Sequence, residues 1–165
     1  MGVSRARQVF DKMPDEVFNT YIVPLIKFHG WSATSKHSMV SDRWRRAFDN
    51  QRLKTIAELS WQRKELSFTE TIFHPDSECR IGWLIAQHTR GANTPLANLA
   101  DTKTRFIKCR QFIARTGRLP VPVILMRDYF SYRLLDGNHR IAALASLSPP
   151  PGFLFSVWVG SRSRK

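Results

Sequence analysis

Asp136-Gly137-Asn138-His139-Arg140 is the run in this chain where side chains that bind or move charge crowd into consecutive positions. It offers a carboxylate for a hard cation, a glycine for a tight turn, an amide that donates and accepts, an imidazole and a planar cationic fork. That set suits a phosphate group. Arg140 and the backbone at Gly137 and Asn138 are the candidates to meet the phosphate oxygens, and His139 binds an oxygen or exchanges a proton. Asp136 is the candidate to hold a metal ion or to orient His139. The catalytic candidates are therefore Asp136, His139 and Arg140, and the phosphate-binding candidates are Gly137, Asn138, His139 and Arg140. A plainer alternative stays open on these residues alone. An Asp-Gly turn is common between a strand and a helix, with Asp136 a simple helix cap and Arg140 a solvated surface cation.

The elements around the run have to bring these groups together. Residues 130–135 carry the apolar pattern of a half-buried strand, and Ile141, Leu144 and Ala145 repeat at helical spacing, so the period changes at Asp136-Gly137. A glycine there allows a sharp turn, and a helix over 138–147 would present unpaired N–H groups and the positive end of its dipole. Such a junction is a ready anion site. Upstream, a helix capped by Asp101 or Thr102 has an apolar face of Phe106, Cys109, Phe112 and Ile113, with Lys108 and Arg115 opposite and Gly117 ending it. A strand over 121–126 and a connection at Arg127-Asp128-Tyr129 lead into the motif strand. Pro149-Pro150-Pro151-Gly152 stops the motif helix, and 153–159 reads as a last strand.

The first half of the chain is less explicit. Residues 1–12 read as a basic, frayed start, and Pro14-Asp15-Glu16 as the beginning of a helix that Pro24 should kink or end. His29-Gly30-Trp31-Ser32 reads as a turn, Ser41 as the cap of a short basic helix through Phe48, and 52–59 as more helix. Residues 66–73 are the first expected strand, broken by His74-Pro75-Asp76; 81–86 are apolar and of undecided type, and 90–95 are a loop. The expected fold class is α+β: a small mixed sheet with flanking helices. Residues 1–65 form an N-terminal helical extension packed on a core of 66–160, and 161–165 are a basic tail.

Composition narrows the partners. Twenty-six Lys and Arg against 13 Asp and Glu give a formal net charge of +13 on 165 residues. Residues 61–165 hold sixteen of the basic and seven of the acidic side chains, and no carboxylate side chain follows Asp136. An excess of this size points to a polyanionic partner, DNA first among them. Hydrophobic residues at 42% are enough for a packed core. No apolar run approaches a membrane span and the first residues lack a signal-peptide pattern, which gives a cytoplasmic expectation. Cys79 and Cys109 are too few for a disulfide scaffold; Cys109 reads as a buried thiol, and Cys79 with His74 and His88 lacks a recognisable zinc spacing.

The order Pro120-Val-Pro122-Val-Ile-Leu-Met126, a polar turn, an apolar strand, DGNHR and an alanine-rich helix resembles the signature of the ParB/sulfiredoxin superfamily, over about residues 100–160. The resemblance implies a ParB/sulfiredoxin-like core whose DGNHR loop binds nucleotide phosphates. The chain departs from two branches. Asn138 stands where sulfiredoxins carry their cysteine, and the glutamate and paired arginines of partitioning proteins are missing. The free-serine kinases have a closer DGHHR-like loop. Closest are the small, basic plasmid fertility-inhibition proteins. Similarity to them implies a bacterial nucleotide- and DNA-binding protein with ATPase and DNase activity, using ATP and Mg2+, with Asp136 as metal ligand. It also implies interference with a type IV secretion system or its coupling protein. The alternatives are a nucleotide-gated DNA-binding module without turnover and a small-molecule kinase of the free-serine type, which would leave the charge unexplained. The second carboxylate such a hydrolase needs is undecided among Glu70, Asp76, Glu78, Asp101 and Asp128.

Overall fold

The computed structural model describes residues 2–29, 50–89 and 99–162. Expectations for the turn at His29-Gly30, the basic helix after Ser41, the loop at 90–95 and the last three residues of the tail fall wholly or largely outside them. The fold is α+β, a four-stranded mixed sheet flanked by helices, with strand order β1-β4-β2-β3. The chain divides into two compact units, residues 1–62 with 160–165 and residues 63–159.

In the first unit, α1 (Gly2–Val9) is a formed helix and not the frayed start expected from its charge. Ala6 and Phe10 are fully buried, and Arg7 reaches the carbonyls of Phe10 and Met13 at 2.9 and 2.7 Å and the Asp15 carboxylate at 2.6 Å. One pinned cation thus converts a basic segment into an anchored one. The next run passes from α2 (Asp15–Val17) through a π turn (Phe18–Ile22) into α3 (Val23–His29), so the helix neither ends nor breaks at Pro24. The wider turn just ahead of the proline, closed by the Val23 N–H on the Phe18 carbonyl, accommodates a residue that has no N–H to give. After α4 (Asn50–Ala57), Leu59 completes the buried apolar set of this unit.

The second unit holds the motif. Strand β1 (Ser60–Ser67) begins in the first unit and lies earlier than the expected 66–73. Its side chains are mostly exposed, so hydrophobic alternation does not mark it. Residues 68–71 instead turn, with the Thr71 hydroxyl on the Ser67 carbonyl at 2.6 Å, and Phe73 makes only a single parallel bridge to Tyr132. Helix α5 (Pro75–Thr89) resolves the undecided 81–86 segment, burying Ile81, Leu84 and Gln87 on one side. Helix α6 (Leu99–Thr116) buries the expected Phe106, Cys109 and Ile113 and stops at Gly117, whose φ is 66°. Strands β2 (Val123–Asp128) and β3 (Ser131–Asp136) pair antiparallel, α7 (Asn138–Ala145) follows Gly137 directly, and β4 (Leu154–Ser161) enters the sheet between β1 and β2. Val123, Leu125, Leu134, Phe155 and Val157 from the sheet meet Ile141 to Leu144 of α7, Ile81 and Leu84 of α5, and Phe106 and Ile113 of α6 in one core. Four consecutive fully buried residues, Ile141, Ala142, Ala143 and Leu144, clamp α7 between sheet and helices. The start of that helix is therefore held by its own interior.

Candidate functional site

The site is built from the end of β3 upward. Gly137 is the N-cap of α7 at φ 101°, in the left-handed region, and provides no side chain to cap the helix. A Cβ at this position would lie 2.6 Å from Val123 Cγ1 and 3.2 Å from Arg140 Nε. Only glycine fits both the dihedral and the space. The first helical bond runs from the Ile141 N–H to the Gly137 carbonyl at 3.0 Å, so the amides of Asn138, His139 and Arg140 precede any intrahelical acceptor. The helix dipole adds positive potential at the same point.

Asp136 and Arg140 come together, but with each other. The Arg140 Nη2 donates to Asp136 Oδ2 at 2.5 Å, and its Nη1 donates to the carbonyls of Val121 and Pro122 at 3.1 and 2.8 Å. With 15% of its side chain exposed, Arg140 ties the entry of β2 to the exit of β3. Asp136, at 36% exposure, keeps Oδ1 clear of this pair. Asn138 and His139 are half-buried in the first turn of α7. The His139 ring points toward the α5–α6 side, its centroid 6.0 Å from that of His88. The five residues of the motif thus divide. Asp136 and Arg140 close the turn, while the His139 ring lies beside that of His88, its Nε2 buried.

A cleft of about 380 Å³ is lined by His88 and Thr89 of α5 and Phe106, Ile107, Arg110 and Gln111 of α6. The His88 ring lies 4.8 Å from the Phe106 ring, and neither of its buried nitrogens has a hydrogen-bond partner. Burial first, and Lys103 second, hold the His88 imidazole below its ordinary range, so it is neutral at neutral pH. Sequence reasoning did not place His88, Phe106 and Arg110 together. Ile81, Leu84 and His88 do share one helical face, and that was the available signal; the pairing with α6 is a long-range contact that spacing does not encode. Cys109, on the core side of α6, has its thiol pushed up by burial, with Arg140 acting in the opposite direction.

The other candidates lie elsewhere. Asp76 and Asp128 flank Arg133 on β3, at 3.1 and 3.9 Å, and Arg133 also reaches His74 Nε2 at 2.9 Å. Arginine only donates, so His74 accepts at Nε2, while the Asp76 backbone N–H is directed at its Nδ1 at 3.2 Å and Asp76 Oδ2 lies 3.4 Å from the same nitrogen. The Leu134 N–H is held by the Ser77 hydroxyl at 3.0 Å, locking α5 to β3 just before the motif. Glu70 and Glu78 are exposed, and the side chain of Asp101 lies outside the described residues. Among the described residues no group of three or more His, Cys, Asp or Glu is arranged to hold a metal. Magnesium bound to nucleotide phosphates needs only one or two protein carboxylates, and Asp136 offers one oxygen. Among the described residues no helix is long and apolar enough to cross a membrane. No family model, curated protein or solved structure matches the chain.

Proposed function

We propose that this protein binds the phosphates of a nucleotide at the start of α7 and DNA through its cationic surface, and that it hydrolyses ATP and cleaves DNA. The observation that carries the reading is the start of α7 itself. A helix anchored by four buried residues begins at a left-handed glycine whose added Cβ would clash, without a side-chain cap, so that its first amides precede any intrahelical acceptor at the end of a strand. The amides of Asn138 and Arg140, with the Arg140 guanidinium behind them, stabilise charge on phosphoryl oxygens. His139, in the first turn of the same helix with its ring beside His88, receives or returns a proton. Magnesium arriving with the nucleotide would be held by Asp136 Oδ1 and would neutralise phosphate charge. The second carboxylate stays unassigned, since Asp76 and Asp128 are engaged with Arg133.

On this proposal the chain is a ParB/sulfiredoxin-like protein of the bacterial cytoplasm, a plasmid fertility-inhibition factor that blocks DNA transfer through a type IV secretion system. The net charge of +13 supports DNA as the partner and argues against a small-molecule kinase. The test is release of phosphate from ATP and relaxation of supercoiled plasmid by the purified protein, compared with Asp136→Ala. The wild type should do both and the variant neither. One observation favours a second reading, a nucleotide-gated DNA binder without turnover: Asp136 and Arg140 neutralise each other across the turn. That reading prevails if nucleotide tightens DNA binding while wild type and variant leave both substrates intact.

A further inference from the structure

Tyr129 and Phe130 make up the two-residue loop joining β2 to β3, since Asp128 pairs with Ser131 across it. Tight hairpin loops of this length favour a positive φ at their first residue, a place usually filled by glycine or asparagine. Tyr129 has φ 49°. A bulky residue in that region is strained, and here the strain is not offset by burial. Tyr129 is 87% exposed and Phe130 93% exposed, and among the described residues neither ring packs on another ring. Single exposed apolar residues are ordinary surface. Two adjacent aromatics on a rigid tip, one of them in a backbone conformation better suited to glycine, are not. The tip does not swing freely. The Ser131 hydroxyl holds the Asp128 carbonyl at 3.2 Å, and just behind it the Tyr132 N–H is bound to the Ile72 carbonyl at 2.8 Å.

The surroundings select the partner. Arg127 is exposed two residues before Tyr129, and Arg133, behind the loop, is paired with Asp76 and Asp128, so that Arg127 is the cation nearest the tip in sequence. Residues 61–165 carry sixteen basic against seven acidic side chains. A partner must then combine negative charge with flat apolar faces. Unstacked bases on a phosphate backbone meet both requirements, whereas a duplex hides its base faces and a lipid surface has none. We propose that Tyr129 and Phe130 are a stacking platform for the bases of single-stranded nucleic acid, with Arg127 on the adjoining phosphate. This deepens the DNA-binding part of the function proposed above and rests on it for the class of partner. It does not depend on the corner at Gly137.

The test is fluorescence anisotropy of the full chain with a labelled single-stranded oligonucleotide and with its duplex, comparing wild type, Tyr129→Gly and Tyr129→Gly/Phe130→Ala. The double variant should lose roughly ten- to hundred-fold in single-strand affinity, the loss of one or two stacked bases, with duplex affinity changed less than about two-fold. The melting temperature of Tyr129→Gly should equal or exceed that of wild type, which separates a binding loss from a folding defect. Unchanged single-strand affinity in the double variant overturns the platform while leaving DNA binding intact. An equal loss on both nucleic acids overturns it as well. A wild type that binds neither strand nor duplex defeats the DNA-binding reading itself.

Discussion

Gly137→Ala is the substitution whose effect follows most directly from the geometry. The added Cβ would sit 2.6 Å from Cγ1 and 3.0 Å from Cβ of Val123, a side chain with no exposure in the middle of the core. No flexible end is available to move aside. The left-handed backbone costs an L-residue about 1–2 kcal/mol, and overpacking a filled interior costs about 1–3 kcal/mol more, for a total of roughly 2–5 kcal/mol. Val123→Ala removes Cγ1, the atom in the closest clash, leaves the 3.0 Å contact with Cβ, and costs roughly 2 kcal/mol by lost burial of its two methyls. If the clash is real, Gly137→Ala/Val123→Ala is less destabilised than the two single changes summed, by about the overpacking share of 1–3 kcal/mol. Urea unfolding followed by circular dichroism measures all four proteins, with an unchanged slope confirming that midpoints report stability. A single variant that loses less than about 1 kcal/mol, or a strictly additive pair, would refute the account of why this position is glycine.

The remaining expectations are independent of it. Tyr129→Gly should raise stability by up to about 1 kcal/mol in the same unfolding assay, since glycine relieves the positive φ; a loss of stability would mean the tip packs on something in solution. Asp136→Asn should cost about 1 kcal/mol, because the partner Arg140 keeps two carbonyl acceptors and the carboxylate is partly solvated; an effect above about 3 kcal/mol would contradict that. His88 is held below its ordinary value of 6.5, so the unfolded chain takes up a proton more readily than the folded one, and stability should fall as pH drops below 6.5 and be unaffected above it. Comparing the pH dependence of wild type with that of His88→Phe isolates this contribution, and identical profiles would exclude it. Iodoacetamide on the folded protein should label exposed Cys79 and spare Cys109, whose thiol is buried and kept protonated, until denaturant is added; peptide mass spectrometry reads the order.

The motif strand, its glycine and the helix after it were legible because the hydrophobic period itself changes at Asp136-Gly137, and α6 because Phe106, Cys109 and Ile113 recur on one face. Strand β1 was misplaced because Gln62, Arg63, Lys64 and Glu65 are all exposed: pairing in the sheet, not alternation, makes it a strand. The undecided 81–86 segment contains Gly82 and Trp83, which blur helical periodicity, and only the burial of Ile81 and Leu84 against the core settles it as helix. Helix α1 was missed because its anchor, Arg7 reaching Asp15, lies between segments. The motif's side chains stand out in the sequence as chemically dense, yet their grouping was not readable. Spacing shows that Asp136 and Arg140 are neighbours, but not that Arg140 turns back to the carbonyls of Val121 and Pro122 or that His139 turns to His88.

The position of β4 has a consequence for how the sheet is made. It is last in sequence but second in the row, lodged between β1 and β2. On the ribosome, β2 and β3 can zip as a local hairpin and α7 can fold onto them at once, with microsecond steps. Strand β1 has no sheet partner until β4 emerges, and until then both of the margins that β4 will join are bare templates for pairing with other chains. Interruption of synthesis before Leu154 would leave the Gly137 corner already shaped beside a sheet open along its centre, so fragments ending there should precipitate where the complete chain does not.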